Sequence, residues 1–326
     1  MDTTKGFTRL LGIDIGGTKC AIIYGIEQKG NLQVEDKIRF ETTKVDETLR
    51  NILDNLTIMM TRHGLTPENT SAIGISCGGP LDSKRGVVMS PPNLPGWDNI
   101  PIVEMVEDHT GIRAGLQNDA NACALAEWKF GAGQGTRNMV FMTFGTGLGA
   151  GIIINGELYS GTNDNAGELG HIRLAADGPV GYGKRGSFEG FCSGGGIAQL
   201  ARHKVTETYR QGKSVSWCAE KDISSVTAQM VAEAAQQGDP LAKEIFRISS
   251  DYLGMGLSIV VDILNPEMIV IGSIYARNEK MMRPVMQAVM DREALSGANR
   301  VCRVVPAALG EQIGDFASLS IAANLK

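Results

Sequence analysis

The hydrophobic positions along this chain follow two spacings. Short apolar runs bounded by glycine read as strands, and apolar residues three and four apart read as helices. RLLGIDI and KCAIIYGI open a strand, turn, strand, turn, strand pattern, with turns at Gly16-Gly17 and at Gln28-Lys29-Gly30-Asn31. From Asp46 to His63 the residues Leu49, Ile52, Leu53, Leu56, Met59 and Met60 keep helical spacing. SAIGISC predicts a short buried strand, and the segment from Pro91 to Gly96 is too proline-rich for either element. A helix is expected to begin at Asn118-Asp119, run through ANACALAE and end at Gly131 and Gly133. A long helix is expected with Asp239 as its cap, Pro240 as its first residue and Leu264 near its end, where Asn265-Pro266 stops it. EMIVIGS predicts another buried strand, and a last helix is expected from about Glu311.

Two segments share one plan. LGIDIGGTKCAIIYG and VFMTFGTGLGAGIIING each read as apolar strand, Gly/Thr turn, apolar strand, and Asn155-Gly156 adds a hairpin turn after the second. This predicts two related halves, each offering one glycine-rich hairpin. The length of 326 residues fits two domains, at roughly 100–200 residues per domain.

Composition narrows the function. The 41 glycines sit in a few clusters, which points to tight turns or close backbone approach to a ligand. A net charge of -5 with no basic patch argues against nucleic acid and acidic membrane surfaces. The longest apolar stretch, Gly254 to Leu264, is broken by an aspartate and falls short of the roughly 18 residues of a membrane span. The opening MDTTKGFTR lacks the apolar core of a secretory signal. The cysteines at 20, 77, 123, 192, 218 and 302 have no zinc spacing and read as reduced thiols of a cytoplasmic protein.

Glycines let backbone N–H groups face an anion without side chains in the way. Gly16, Gly17 and Thr18, with the charge of Lys19, form one such turn, and the segment around Thr146 and Gly147 forms a second. Two of them predict a clamp for a polyphosphate. A dinucleotide fold is excluded, because the glycines at 145, 147, 149 and 151 lead into Ile152-Ile153-Ile154, a strand rather than a helix, and no Walker A motif is present. Asp14 ends its strand beside the first turn, where it is expected to hold Mg2+ directly or through water, since Mg2+ takes one or two carboxylates plus phosphates. Asp119 is either a plain helix cap or an ionised base that takes a proton from a sugar hydroxyl attacking a phosphoryl group. The polar cluster Asn118-Asp119-Ala120-Asn121 favours the base. Glu168 and His171, three apart in GELGH, are expected to bind vicinal hydroxyls.

IDIGGTK, QNDANACALAE, FGTGLGAGIIINGELY and GELGH together resemble the ROK family of sugar kinases and sugar-responsive repressors, within the actin/Hsp70/hexokinase-like superfamily. The resemblance covers essentially the whole chain. It implies an α/β, two-domain actin-like ATPase (ribonuclease H-like) fold with a cleft between domains, here 1–125 plus about 312–326, and 126–311. It implies transfer of the γ-phosphate of ATP, with Mg2+, to a hexose or N-acetylhexosamine, glucokinase-like, in a homodimer. By motif position Asp119 is the catalytic base. Gly16, Gly17, Thr18 and Lys19 flank the phosphates on one side, Thr146 and Gly147 on the other. Gly194, Gly195 and Gly272 lie near the adenosine. Asn118, Glu168, His171 and Glu189 contact the sugar, and Gly78, Gly79 and Ser90 to Asn93 line its far side. The resemblance leaves open the sugar (glucose, N-acetylmannosamine, N-acetylglucosamine, allose or fructose) and the donor, ATP or polyphosphate.

The sequence departs from the family in one large respect. After GELGH the family usually carries three cysteines that bind structural zinc with the histidine. Here Val180, Tyr182 and Ser187 hold those positions in VGYGKRGSFE, and they cannot replace three thiolates, so no zinc is expected. Ile271-Gly272-Ser273 also replaces a more usual Gly-Gly. Family repressors carry a helix-turn-helix before the first glycine turn. Thirteen residues precede Asp14, so neither that domain nor a nucleic-acid partner is expected. A non-catalytic sugar-binding sensor is the alternative; the presence of Asp14, Lys19, Asn118 and Asp119 favours the kinase.

Overall fold

The computed structural model describes residues 6–325. The first five residues of the polar N-terminal stretch, and Lys326, lie outside the described residues. The chain splits into two compact units, one of residues 1–137, 151–166 and 308–326, the other of residues 138–150 and 167–307.

The first unit opens with β1 (Thr8–Ile15), β2 (Lys19–Gln28), β3 (Asn31–Glu41) and α1 (Val45–His63). Next come β4 (Ala72–Cys77), the short pair β5 (Leu81–Asp82) and β6 (Val87–Val88), α2 (Ile102–Thr110), β7 (Ala114–Asn118) and α3 (Asp119–Phe130). Its sheet has the order β3-β2-β1-β4-β7. The first three strands are antiparallel neighbours, while β4 runs parallel to β1 and β7 parallel to β4. Register fixes where the chemistry goes. Ile15 pairs with Cys77, and Cys77 with Asn118. The carboxyl ends of three parallel strands are therefore level, and the chain leaves them at Gly16, Gly78 and Asp119. Ligands of open α/β sheets bind outside such strand ends.

Helix α1 forms because Leu49, Ile52, Leu56 and Met59 make one buried stripe. It stops at Gly64, whose φ of 58° is the left-handed conformation glycine adopts without strain. This helix packs on one face of the sheet with Leu11, Ile13, Ile73, Ile75 and Val106. The C-terminal helix Ile313–Ala322 covers the other face, with Leu319 against Leu10, Ile23 and Ala72. Gly12 and Gly74 let it approach: a Cβ on Gly74 would stand 2.6 Å from the Ala322 nitrogen, and one on Gly12 2.9 Å from Ser318 Cβ.

Glu127 on α3 is fully buried. Its carboxylate accepts backbone N–H groups from Ala132 at 2.8 Å, Ala308 at 3.1 Å and Leu309 at 2.9 Å. These donors lie near two of the four places where the chain passes between units, 137/138 and 307/308.

The chain continues through β8 (Met139–Met142), β9 (Ala150–Ile154) and β10 (Glu157–Leu158). Asn155 and Gly156 turn β9 into β10 with φ of 55° and 80°, the positive pair that an Asn-Gly hairpin turn requires. Then follow β11 (Val180–Gly181), β12 (Lys184–Arg185), α4 (Phe188–Phe191), α5 (Gly194–Arg210), α6 (Ala228–Gln236), α7 (Pro240–Leu264), β13 (Met268–Ile271), α8 (Ser273–Glu293), α9 (Ser296–Val301), β14 (Arg303–Pro306) and α10, the C-terminal helix already described. In the second unit β13 lies parallel to β8 on one side and to β14 on the other. Helix α7 starts as the sequence predicts: Asp239 accepts the Ala242 N–H at 2.9 Å, and Asn265 ends it with φ of 44°. Phe246, Leu253 and Leu257 of α7 share a core with Met282 and Met286 of α8, which kinks at Asn278. The architecture is the α/β one expected from the sequence. Among the described residues no helix is long and apolar enough to cross a membrane.

Candidate active site

In the first unit the β1–β2 turn is closed by the Gly16 N–H donating to Lys19 O at 3.1 Å, while Thr42 donates its hydroxyl to Gly16 O at 2.6 Å. Thr18 and Lys19 are exposed at its tip. A Cβ on Gly17 would lie 2.6 Å from Asn93 O, and one on Gly78 3.3 Å from Asn93 Oδ1. The structure thus gathers Gly17, Gly78 and Asn93, and explains why two of them lack side chains. Gly79 follows and precedes a cis proline. The Ser90 hydroxyl donates to Asp98, so its side chain is engaged within its own loop.

Asp14 is half-buried one residue before the end of β1. Burial pushes its pKa up to about 6; Lys37 pulls it down, and Asp315 and Asp119 push it up. Lys37 is itself ion-paired to Asp315. Neither was legible as a site residue in the sequence, because 278 positions separate the pair. Three carboxylates with one lysine leave excess negative charge beside the glycine turn. Among the described residues no three or more His, Cys, Asp or Glu side chains converge as a closed metal cage. Mg2+ needs no such cage, only one or two carboxylates with phosphate oxygens and water, so Asp14 fits the role expected of it.

The start of α3 resolves which residue is the cap. Asn118 Oδ1 accepts the Asn121 N–H at 2.7 Å, the geometry of an N-cap side chain. The Asp119 carboxylate makes no such cap; the Ala120 N–H donates to its Oδ1 at 2.8 Å. Its side chain is reached by solvent but stands among dense protein on its other sides, and this burial raises its pKa. A carboxylate so placed is more basic than an ordinary aspartate.

In the second unit the glycine turn is closed by the Thr143 N–H donating to Gly149 O at 2.9 Å and the Gly145 N–H to Gly147 O at 3.1 Å. The N-terminus of α5 abuts it: the Gly194 N–H donates to Gly145 O at 2.7 Å. A helix N-terminus beside a glycine turn favours anions. Gly145, Thr146, Gly194 and Gly195 border a cavity of about 780 Å³ whose far wall includes Ser273 and Asn278 of α8. Gly272 is not on that wall; its N–H donates to Met142 O at 3.0 Å and it opens α8. Gly147 lies instead toward Glu189: a Cβ there would stand 2.9 Å from Glu189 Oε2, which also accepts the Leu148 N–H at 3.0 Å. Glu168 and His171 are exposed on the loop after this turn. Gly170, between them, packs on Glu189, with a Cβ-to-Cβ distance of 3.2 Å if it had a side chain. The segment offers one imidazole and no thiolate, a donor set that does not fit tetrahedral zinc.

The sequence profile of the ROK family matches residues 10–324. A glucokinase of Streptomyces coelicolor is 31% identical over 317 residues, covering 97% of this chain and 96% of that protein. A ROK family glucokinase from Streptomyces griseus, solved in complex with glucose and AMPPNP, is 28% identical with a TM-score of 0.73, covering 97% of this chain and 100% of that one. A ROK family transcriptional regulator, a homolog of the E. coli MLC protein, is similar with a TM-score of 0.82 at 25% identity, covering 98% of this chain and 78% of that one. With the level strand ends, the two glycine turns and a match along almost its entire length, the chain belongs to the ROK family.

Proposed function

We propose that this protein is a sugar kinase that transfers the γ-phosphate of ATP to a hydroxyl of a hexose or N-acetylhexosamine, with glucose the first candidate. The observation that carries the reading is Asp119. Asn118 supplies the cap of α3, so the neighbouring carboxylate, made more basic by burial, serves as general base. In this reading Asp119 takes the proton of the attacking hydroxyl. Asn118, Glu168, His171 and Glu189 hold the sugar's other hydroxyls, and Gly78, Gly79 and the Ser90–Asn93 loop bound it. Gly16, Gly17, Thr18 and Lys19 hold phosphate oxygens from one hairpin, Thr146 and Gly147 from the other. The cavity beside Gly194 and Gly195, with Gly272 behind it, takes the nucleoside, which supports ATP over polyphosphate as donor. Mg2+ bound through Asp14 supplies charge neutralisation on the phosphates. The Streptomyces griseus structure with glucose and AMPPNP supports the same pairing of ligands. A cytoplasmic homodimer belongs to the reading.

The test is ADP release from Mg-ATP against a panel of hexoses and N-acetylhexosamines. Turnover on one sugar is the expected result. The similarity to a transcriptional regulator favours one rival, a sugar sensor without catalysis. Sugar binding by calorimetry with no turnover on any sugar would establish that rival instead.

The pH profile gives an independent check. Burial pushes the Asp14 carboxyl up to about 6, and Asp119 above the ordinary aspartate range. Both groups act as carboxylates, so activity is present above these values and lost as pH falls through them. A cation at Asp14 favours its ionised form, so added Mg2+ is expected to move the acid limb of kcat/KM to lower pH. A limb near the free-aspartate value of about 3.9, unmoved by Mg2+, would count against both assignments.

A further inference from the structure

Strands β11 and β12 are two residues each, too short to hold a hairpin on their own. They nevertheless form the rim beside His171. The positions where the family resemblance implies thiolates are each engaged by protein groups. Gln199 on α5 pairs with both backbone groups of Val180: the Val180 N–H donates to Gln199 Oε1 at 3.0 Å, and Gln199 Nε2 donates to Val180 O at 2.8 Å. Tyr182 sets its ring edge-on to His171, with centroids 5.0 Å apart and planes at 73°. Ser187 accepts the Gly190 N–H at 3.1 Å and so caps α4, the turn that carries Glu189. Lys184 Nζ donates to His171 O at 2.5 Å.

We propose that this chain holds its sugar-binding loop without metal, and that Gln199 is the positioning residue that replaces one. The side-chain amide acts as an added rung on Val180, fixing the hairpin so that Tyr182 stays against His171. Gln199 does not itself touch the sugar. It sits on the helix whose Gly194, Gly195 and Ala198 border the cavity of the second unit, so one rigid helix locates both the loop and that cavity. The inference rests on the kinase reading for the role of His171, but the clamp is testable without it.

The experiment compares the full chain with Gln199→Ala, Gln199→Glu and Tyr182→Ala. Hydrogen exchange reads the loop directly. Amides of residues 180–187 are expected to exchange about tenfold faster in Gln199→Ala, which loses two hydrogen bonds. The KM for sugar is expected to rise about tenfold, with kcat and the KM for ATP within about twofold. Gln199→Glu keeps an acceptor for the Val180 N–H and is expected to fall between. Tyr182→Ala is expected to raise the sugar KM without loosening Val180. Treatment of the wild type with 1,10-phenanthroline, which spares Mg2+, is expected to change neither exchange nor KM. The proposal is overturned by unchanged exchange and sugar KM in Gln199→Ala. One tightly bound zinc per chain, whose removal loosens residues 180–187, overturns it equally. A wild type without turnover on any sugar removes the kinase reading instead, and exchange alone then decides the clamp.

Discussion

Asp119→Asn is expected to lower kcat by about 10²–10⁴-fold while sugar affinity stays within a few fold. The substitution is nearly isosteric. Its amide oxygen can accept the Ala120 N–H as Oδ1 does now at 2.8 Å, and the cap made by Asn118 is untouched. What disappears is the ability to take a proton. Phosphoryl transfer asks the protein mainly for positioning and charge stabilisation, so residual turnover is expected. Steady-state ADP release and calorimetric sugar binding on one preparation separate the two quantities. Wild-type kcat in this variant would falsify the assignment of Asp119 as base, and equal losses of binding and turnover would mean that the residue acts on affinity.

Glu127→Ala is expected to destabilise the fold by about 3 kcal/mol or more. The residue is fully buried, and its removal strands three backbone donors, those of Ala132, Ala308 and Leu309. Each buried donor left without a partner costs about 1–3 kcal/mol. A replacement of similar shape does better: Glu127→Gln keeps one carbonyl oxygen and is expected to lose less. Urea unfolding followed by tryptophan fluorescence suits the measurement, with Trp128 one of three reporters. That indole is next in sequence and donates to Thr136 O at 2.8 Å on the same segment. Two units need not unfold as one transition, so the first loss of signal is the quantity to compare. A midpoint equal to wild type would show that water satisfies the three donors and that the carboxylate has no structural role.

Much of this molecule was legible from local pattern, because local physics decides those elements. The Asp239-Pro240 start and Asn265 stop of α7, the Asn155-Gly156 turn and the helical stripe of α1 each rest on residues within a turn or two of one another. The strand that carries Asp14 near its end and the helix that starts at Asp119 were legible for the same reason. Which side chain caps α3 could not be read from the sequence: only the position of Asn118 Oδ1 shows it. The groups that escaped notice act across long separations. Lys37 reaches Asp315, Glu127 reaches Ala308, and Gln199 reaches back to Val180. Glu127 lies in the QNDANACALAE segment, and an acid near the end of an alanine-rich helix reads as solvent-facing until its donors are seen. Charge and spacing carry no signal for contacts that the fold alone creates.

The helix Ile313–Ala322 also constrains how the polypeptide is made. One face of the first sheet, with Leu10, Ile23 and Ala72, is covered by Leu319 and Ala322, residues that follow it by some three hundred positions. At synthesis rates of about 5–20 residues per second, that face waits tens of seconds for its cover. The second unit has all its residues at Ala307, and the last helix follows within a few seconds at the same rates, so the two units are completed almost together. The N-terminal sheet is the segment a chaperone has reason to hold, and a premature stop anywhere before the last helix leaves it exposed however much of the chain has been made.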